Sequence, residues 1–221
     1  MSLIKGQGAG EVSTGFYSHL LDQSLKFNDD DAQYLTRTPA SAGNRKTWTW
    51  SGWVKRSNIS SYSGLMGAGG SGIEDGLRFD NTDIIRAYLY NGGYVSQYTT
   101  ARKFRDVSAF YHIVWAFDST NSTESERSII YVNGVRQTLT QVNATTLNGE
   151  SGINNNSGQV VGAYGDASSN TFDGYIAEVN FVDGTQLTAD SFGETKDGIW
   201  IPKDTSGLTF GTNGFHLTFK D

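Results

Sequence analysis

The chain has 221 residues, enough for one large β domain with a sizeable core, and no cysteine, which removes disulfides, thiolate nucleophiles and cysteine-type zinc sites together. Lys+Arg 17 against Asp+Glu 23 leaves a net charge of −6, and no basic run forms a stripe; both argue against nucleic acid and anionic membrane as partners. The 27 glycines against two prolines, with 13% aromatic residues, give a balance of turn and strand formers and almost no helix signal.

Residues 1–23 follow neither period and open on a glycine-rich stretch. They are predicted to form an extended arm with a short helical turn near Tyr17–Leu21. Leu3, Ile4, Phe16, Tyr17 and Leu20 are too many apolar groups for a solvated tail. The arm is therefore expected to be ordered by a neighbouring subunit, another protein or the domain's own flank, and is assigned to assembly. No apolar signal-type run lies in the first thirty residues and no segment approaches a membrane span, so a soluble chain is expected.

From residue 24 to 221 the chain reads as one domain of short alternating runs separated by turn clusters. SLKFN and AQYLTRT lead to TWTWSGWVKR, in which Trp48, Trp50, Gly52 and Val54 share one face and Thr49, Ser51, Trp53 and Lys55 the other. SYSGLMGAG and GLRFD flank a predicted glycine-rich loop around Gly69–Gly76. IIRAYLY alternates Ile85, Ala87 and Leu89 with Arg86, Tyr88 and Tyr90. FYHIVWAFD is apolar on both faces, as a central covered strand should be. Asn133–Gly134 between two β runs is a strong hairpin signal. QVVGAYG and FDGYIAEVNFVDG follow, and the one helical turn expected starts near Thr188, with Asp190 at its N-terminus. The fold class predicted is all-β, a two-sheet antiparallel jelly-roll sandwich with an N-terminal extended arm.

In this order TWTWSGWVKR, FYHIVWAFDS, IIYVNGV and FDGYIAEVNFVDGTQLT resemble the laminin G-like, concanavalin A-like lectin/glucanase superfamily. QSLKFNDDDAQYLTRTPASAGNRKTWTWSGWVKR and IPKDTSGLTFGTNGFHLTFKD resemble structural proteins of tailed bacteriophages, especially marine ones. The resemblance implies a jelly-roll domain on a virion, in a tail fibre, spike or capsid appendage. Its partners would be other virion proteins or further copies of itself, and host surface glycan. A free-standing carbohydrate-binding module is the alternative, and a glycan hydrolase the more distant one.

Chemistry is not expected. Glucanases of this superfold use carboxylates in a Glu-x-Asp-x-x-Glu run, because one carboxyl must protonate the leaving oxygen while another attacks or activates water. That run is missing. Glu124 and Glu126 fall in a Ser/Thr-rich stretch read as a solvated loop, and Glu178 stands at the place of the superfamily's late Glu, where it more often supports loops. His112 matches a histidine of the family's Trp-His-His-like strand and reads as structural, with no Ser or Asp partner identifiable; His19 and His216 suggest nothing. The acidic groups Glu74/Asp75, Asp80/Asp83 and Asp166 are too sparse to give calcium six to eight oxygens from one loop, so neither metal nor cofactor is assigned.

Sugar recognition has a physical basis. Exposed aromatic rings stack on pyranose faces while polar neighbours orient hydroxyls. Trp53, Arg86, Tyr88, Tyr90 and Tyr94 fall on non-core faces by alternation and are the candidate ligand-binding residues. The competing reading is that they cover a second sheet face or an oligomer interface.

Overall fold

A computed structural model describes residues 15–167 and 170–220. Leu3 and Ile4 of the predicted arm lie outside the described residues. Two large antiparallel sheets face one another across the core, with strands numbered in chain order. One runs β1 (Leu25–Phe27), β13 (Gly174–Asp183), β3 (Thr47–Arg56), β8 (Tyr111–Asp118), β9 (Ser128–Val132), β10 (Val135–Arg136), with β16 (Phe215–Leu217) also on β13. The other runs β11 (Leu139–Asn143), β7 (Tyr94–Lys103), β6 (Ile84–Tyr90), β5 (Ile73–Phe79), β4 (Ser63–Gly70), β12 (Gln159–Val161), β2 (Leu35–Arg37). A separate hairpin joins β14 (Gly193–Lys196) and β15 (Ile199–Pro202).

Alternation along β3 sends Trp48, Trp50 and Val54 into the core, which also takes Ile113, Trp115 and Phe117 from β8 and Leu77, Ile85 and Leu89 from the facing sheet. Trp48 meets Trp115 edge-on at 4.8 Å and stacks on Phe117 at 5.1 Å, the offset and T-shaped geometries that ring quadrupoles favour. Asn133 and Gly134 have φ of 50° and 77°, the two left-handed residues of a type I′ turn, and they join β9 to β10 as expected.

Alternation does not separate buried from exposed in β3, because the opposite face is buried too: Thr49 and Ser51 are fully covered. The cover is the segment after β13. The Thr49 hydroxyl donates to the Thr185 carbonyl and accepts from the Leu187 amide, both at 2.8 Å. Above β8 and β13, Ala189 and Phe192 pack on Val114 and Val182 in a second, smaller core bordered by Leu187, Trp200 and Phe210. Residues 15–24 extend this cover. Lys196 donates to the Gly15 carbonyl at 3.2 Å and sits over the Phe16 ring, and Ser18 bonds the Glu194 carboxylate. This sheet, covered on both faces, is called the covered sheet below, and the other the open sheet.

Near Thr188 the expected turn forms as a three-residue 3-10 turn, Ala189–Ser191, with Asp190 in it and no side-chain cap, and the exposed stretch around Glu124–Glu126 makes a second such turn. Two expectations change. No helical turn forms at Tyr17–Leu21, where the chain is held by the contacts to Lys196 and Glu194 instead. The glycine-rich loop shrinks to residues 71–72, because β4 reaches Gly70 and β5 starts at Ile73.

Those glycines have a packing role. The segment 162–167 crosses the outer face of the open sheet directly over β4 and β5. A Cβ on Gly67 would collide with the Gly165 backbone, and one on Gly76 would lie 2.5 Å from the Tyr164 ring. Lacking side chains, these strands let a backbone and a tyrosine lie flat on them.

Candidate functional site

On the outer face of the open sheet, beside the strip that segment 162–167 covers over β4 and β5, large polar and aromatic side chains of β6 stay partly exposed. On β6 the inward residues Ile85, Ala87 and Leu89 are buried, while Arg86, Tyr88 and Tyr90 are only half-buried. Tyr88 and Tyr90, two residues apart, hold their rings nearly parallel (7°) with centroids 6.4 Å apart, the repeat of one strand face. Tyr94, 58% exposed, stands edge-on to both, 5.5 Å from Tyr90 and 6.1 Å from Tyr88. Buried Tyr164, carried over Gly76 by the 162–167 segment, adds a ring 6.4 Å from Tyr88.

Register places the polar groups. Arg86 is opposite Arg78 on β5 and Thr99 on β7; Tyr88 is opposite Gly76 and Gln97. The Arg78 guanidinium lies between the rings of Tyr62 and Tyr164, at 4.7 and 4.3 Å from their centroids. Burial, and then the nearby Glu74 carboxylate, push the Tyr88 phenol up to about 12, so its hydroxyl stays neutral and able to both donate and accept.

Asp75 anchors one end of this face from beneath. Fully buried, it accepts the Tyr90 amide at 2.7 Å and the amides of Gly152 and Ile153 at 2.5 and 3.0 Å. Burial pushes its carboxyl up to about 7 against the pull of those three donors.

Trp53 does not join the tyrosines. It lies on the covered sheet, 8% exposed, its ring stacked on His112 at 4.8 Å. The earlier expectation of an exposed ring fails because residues 15–24 and 184–213 lie over that face. His112 does have a serine partner, contrary to expectation: Ser51 Oγ is 2.8 Å from Nε2, and Trp200 Nε1–H donates to Nδ1 at 3.0 Å. Since Nδ1 accepts, Nε2 carries the proton and donates to Ser51. Burial drives the imidazole down to about 3, so it stays neutral. A neutral ring donating to a fully buried serine cannot take that serine's proton, and the pair is a structural tie.

The other titratable groups are engaged elsewhere. Glu178, on a β13 bulge with φ of 50°, faces His216, His19 and Thr205 through Oε1. Glu124 accepts from the Tyr98 hydroxyl, and Glu126 holds Arg136. Asp83 is fully buried between Arg56 and Arg105; against the upward push of burial, the Ser60 amide and then these two guanidiniums hold its carboxyl below the usual range. An apolar cleft of about 300 Å³ opens between the sheets beside β2, β12 and β16, against Trp50, Phe181 and Phe215. Its few polar neighbours, Thr36, Arg37 and Gln159, do not suit a polyhydroxylated ligand.

A laminin G family profile of the concanavalin A-like lectin/glucanases superfamily matches residues 28–191. The chain belongs to the concanavalin A-like lectin/glucanase superfamily. Among solved structures, mouse laminin α1 chain domains LG4-5 align with a TM-score of 0.53 at 14% identity, covering 76% of this chain and 44% of that one. The SAP-like pentraxin of Limulus polyphemus aligns at a TM-score of 0.45 and 11% identity, over 69% and 70% of the two chains. Domain 4 of an arabinanase from Geobacillus stearothermophilus, solved with arabinotriose, gives 0.43 and 14%, over 65% and 64%. The chain thus spans less than half of the laminin fragment, and at 14% identity that likeness is one of fold. A search of curated proteins found no match.

Proposed function

We propose that this domain is a non-catalytic carbohydrate-recognition module whose binding face is the outer surface of the open sheet. One observation carries the reading: Tyr88, Tyr90 and Tyr94 stand together with Arg86 on the uncovered face, whereas the equivalent face of the other sheet is closed by the chain itself. Parallel tyrosine rings offer flat apolar area at low entropy cost, and Arg86 and the phenol hydroxyls supply donors and acceptors beside them. Membership of a superfamily that includes lectins supports the reading at the level of fold. The test is affinity electrophoresis of the wild type and Tyr88→Ala, Tyr90→Ala and Tyr94→Ala variants through gels holding laminarin, agarose or alginate. Retardation of the wild type on at least one, reduced severalfold by the tyrosine changes, supports the module. Free migration in all three contradicts it.

The setting proposed is the virion of a tailed bacteriophage, in a fibre, spike or capsid appendage, supported by the likeness of residues 23–56 and 201–221 to such structural proteins. Assembly through residues 1–23 fits the exposed Tyr17 and Leu20, which with Phe110 rim an apolar cleft on the covered-sheet side. Incorporation of the protein into purified particles, read by mass spectrometry, tests the setting.

A further inference from the structure

Arg78 and Arg86 are direct cross-strand partners on the open face. Like charges placed opposite one another on a sheet repel and destabilise it. The chain is acidic overall, yet this pair is left uncompensated: among the described residues, ion pairs engage Arg45, Arg56, Arg105 and Arg136 but neither Arg78 nor Arg86. The Nε of each is buried without a hydrogen-bond partner. The carboxylates of this face gather at its other end. Glu74 lies four residues along β5 from Arg78, about 13 Å by strand rise, and Asp166, which has contacts of its own, sits over Gly69, the register partner of Glu74. Arg78 is held in plane between Tyr62 and Tyr164.

From this juxtaposition we infer that the open face selects anionic glycans, with the Arg78–Arg86 pair receiving a sugar carboxylate or sulfate and the tyrosines Tyr88 and Tyr90 taking the adjoining ring. The inference rests on the reading of this face as the glycan site. A carboxylate or sulfate suits two adjacent guanidiniums, because each guanidinium offers parallel N–H donors matched to a pair of oxygens on one centre. An anion there binds the terminal N–H groups of the two guanidiniums and removes their repulsion. Arg78, already fixed by its flanking rings, loses little freedom on binding. The acidic end at Glu74 sets the direction in which an anionic chain can lie, since a second charged unit there meets repulsion.

The experiment is titration calorimetry at two salt concentrations with oligosaccharides of alginate (carboxylate), carrageenan (sulfate) and laminarin (neutral), on the wild type, Arg86→Gln and Arg86→Lys. The expected result is at least tenfold tighter binding of one or both anionic sugars than of laminarin, weakening with salt. Arg86→Gln reduces that preference by about tenfold, and Arg86→Lys, which keeps the charge without the fork, restores part of it. The carboxylate and sulfate arms identify which anion is recognised. A melting curve within a few degrees of wild type for Arg86→Gln ties the loss to the face. Equal affinity for laminarin and the anionic sugars, or an anionic preference untouched by Arg86→Gln, overturns the inference and leaves the glycan-binding reading standing. Absence of binding to all three overturns both. Binding of polyphosphate or single-stranded DNA in preference to any of the sugars also overturns it.

Discussion

The Glu178 carboxylate accepts a hydrogen bond from His216 Nε2 at 2.6 Å, and the same oxygen lies 3.7 Å from His19 Nε2. One bulged residue of β13 thus holds both the C-terminal strand and the segment that precedes β1. Of its partners Thr205 is buried while the His216 and His19 side chains are partly exposed, so deleting the carboxyl leaves one buried donor and two half-buried ones without this acceptor. Glu178→Ala is expected to cost about 1–3 kcal/mol in urea unfolding and to raise hydrogen exchange around residues 19 and 216. Glycan retardation should be unchanged, because Glu178 belongs to the opposite sheet. Loss of retardation in a variant with wild-type melting would move the binding face to the covered side.

The core predicts a clear division. Trp50 and Ile176 are fully buried between the sheets, so Trp50→Ala and Ile176→Ala should each cost on the order of 2–5 kcal/mol. Tyr90→Ala, on the uncovered face, should cost far less. Three equal losses in thermal denaturation would mean that the faces of β6 are wrongly assigned.

Two buried groups give opposite pH dependences. Asp75 rises from 3.8 to about 7 through burial, so the stability linked to its protonated form is complete below about 4 and is lost as pH rises through 7. His112 falls from 6.5 to about 3, again through burial, so its contribution is complete above 6.5 and is lost as pH falls through 3. The two offset one another between pH 4 and 6.5. Removing one should expose the other. Asp75→Asn is expected to fall further behind the wild type as pH drops from 7 to 4, by a total on the order of a few kcal/mol. A gap that stays constant across that range would show that Asp75 is ionised throughout.

Deleting residues 1–17 removes the Lys196 contacts to Gly15 and Phe16 and, among the described residues, no strand, since the first described strand, β1, starts at Leu25. The shortened protein should melt cooperatively and lose its oligomeric state or its entry into particles, read by size-exclusion chromatography with light scattering. An unchanged mass state and continued incorporation would reduce the segment to a flap on its own domain.

Strand-by-strand alternation was enough to read the sandwich, the core face of β3 and the Asn133–Gly134 hairpin. It could not place Trp53, because both faces of β3 are buried and the covering segment 184–213 consists of short polar runs without a period. β7 was not delimited either: Val95 and Tyr98 stand among Ser, Gln and Thr, whose burial comes from neighbouring strands. For the candidate face, the sequence indicated Arg86, Tyr88, Tyr90 and Tyr94 but missed Arg78 and Tyr164. Register brings Arg78 opposite Arg86, and a glycine-lined track brings Tyr164 over Gly76. The run SGLMGAGGSG was the signal for the second, since glycines within strands mark a close backbone approach.

The most direct measurement is amide-resonance mapping by NMR during titration with alginate and laminarin oligosaccharides. The account predicts saturable shifts centred on Tyr88, Tyr90, Tyr94 and Arg86, with little change around Trp53, Ala177 and Pro202. Shifts centred on those last three residues, on the cleft at Trp50 and Phe215, or nowhere at millimolar sugar would contradict it.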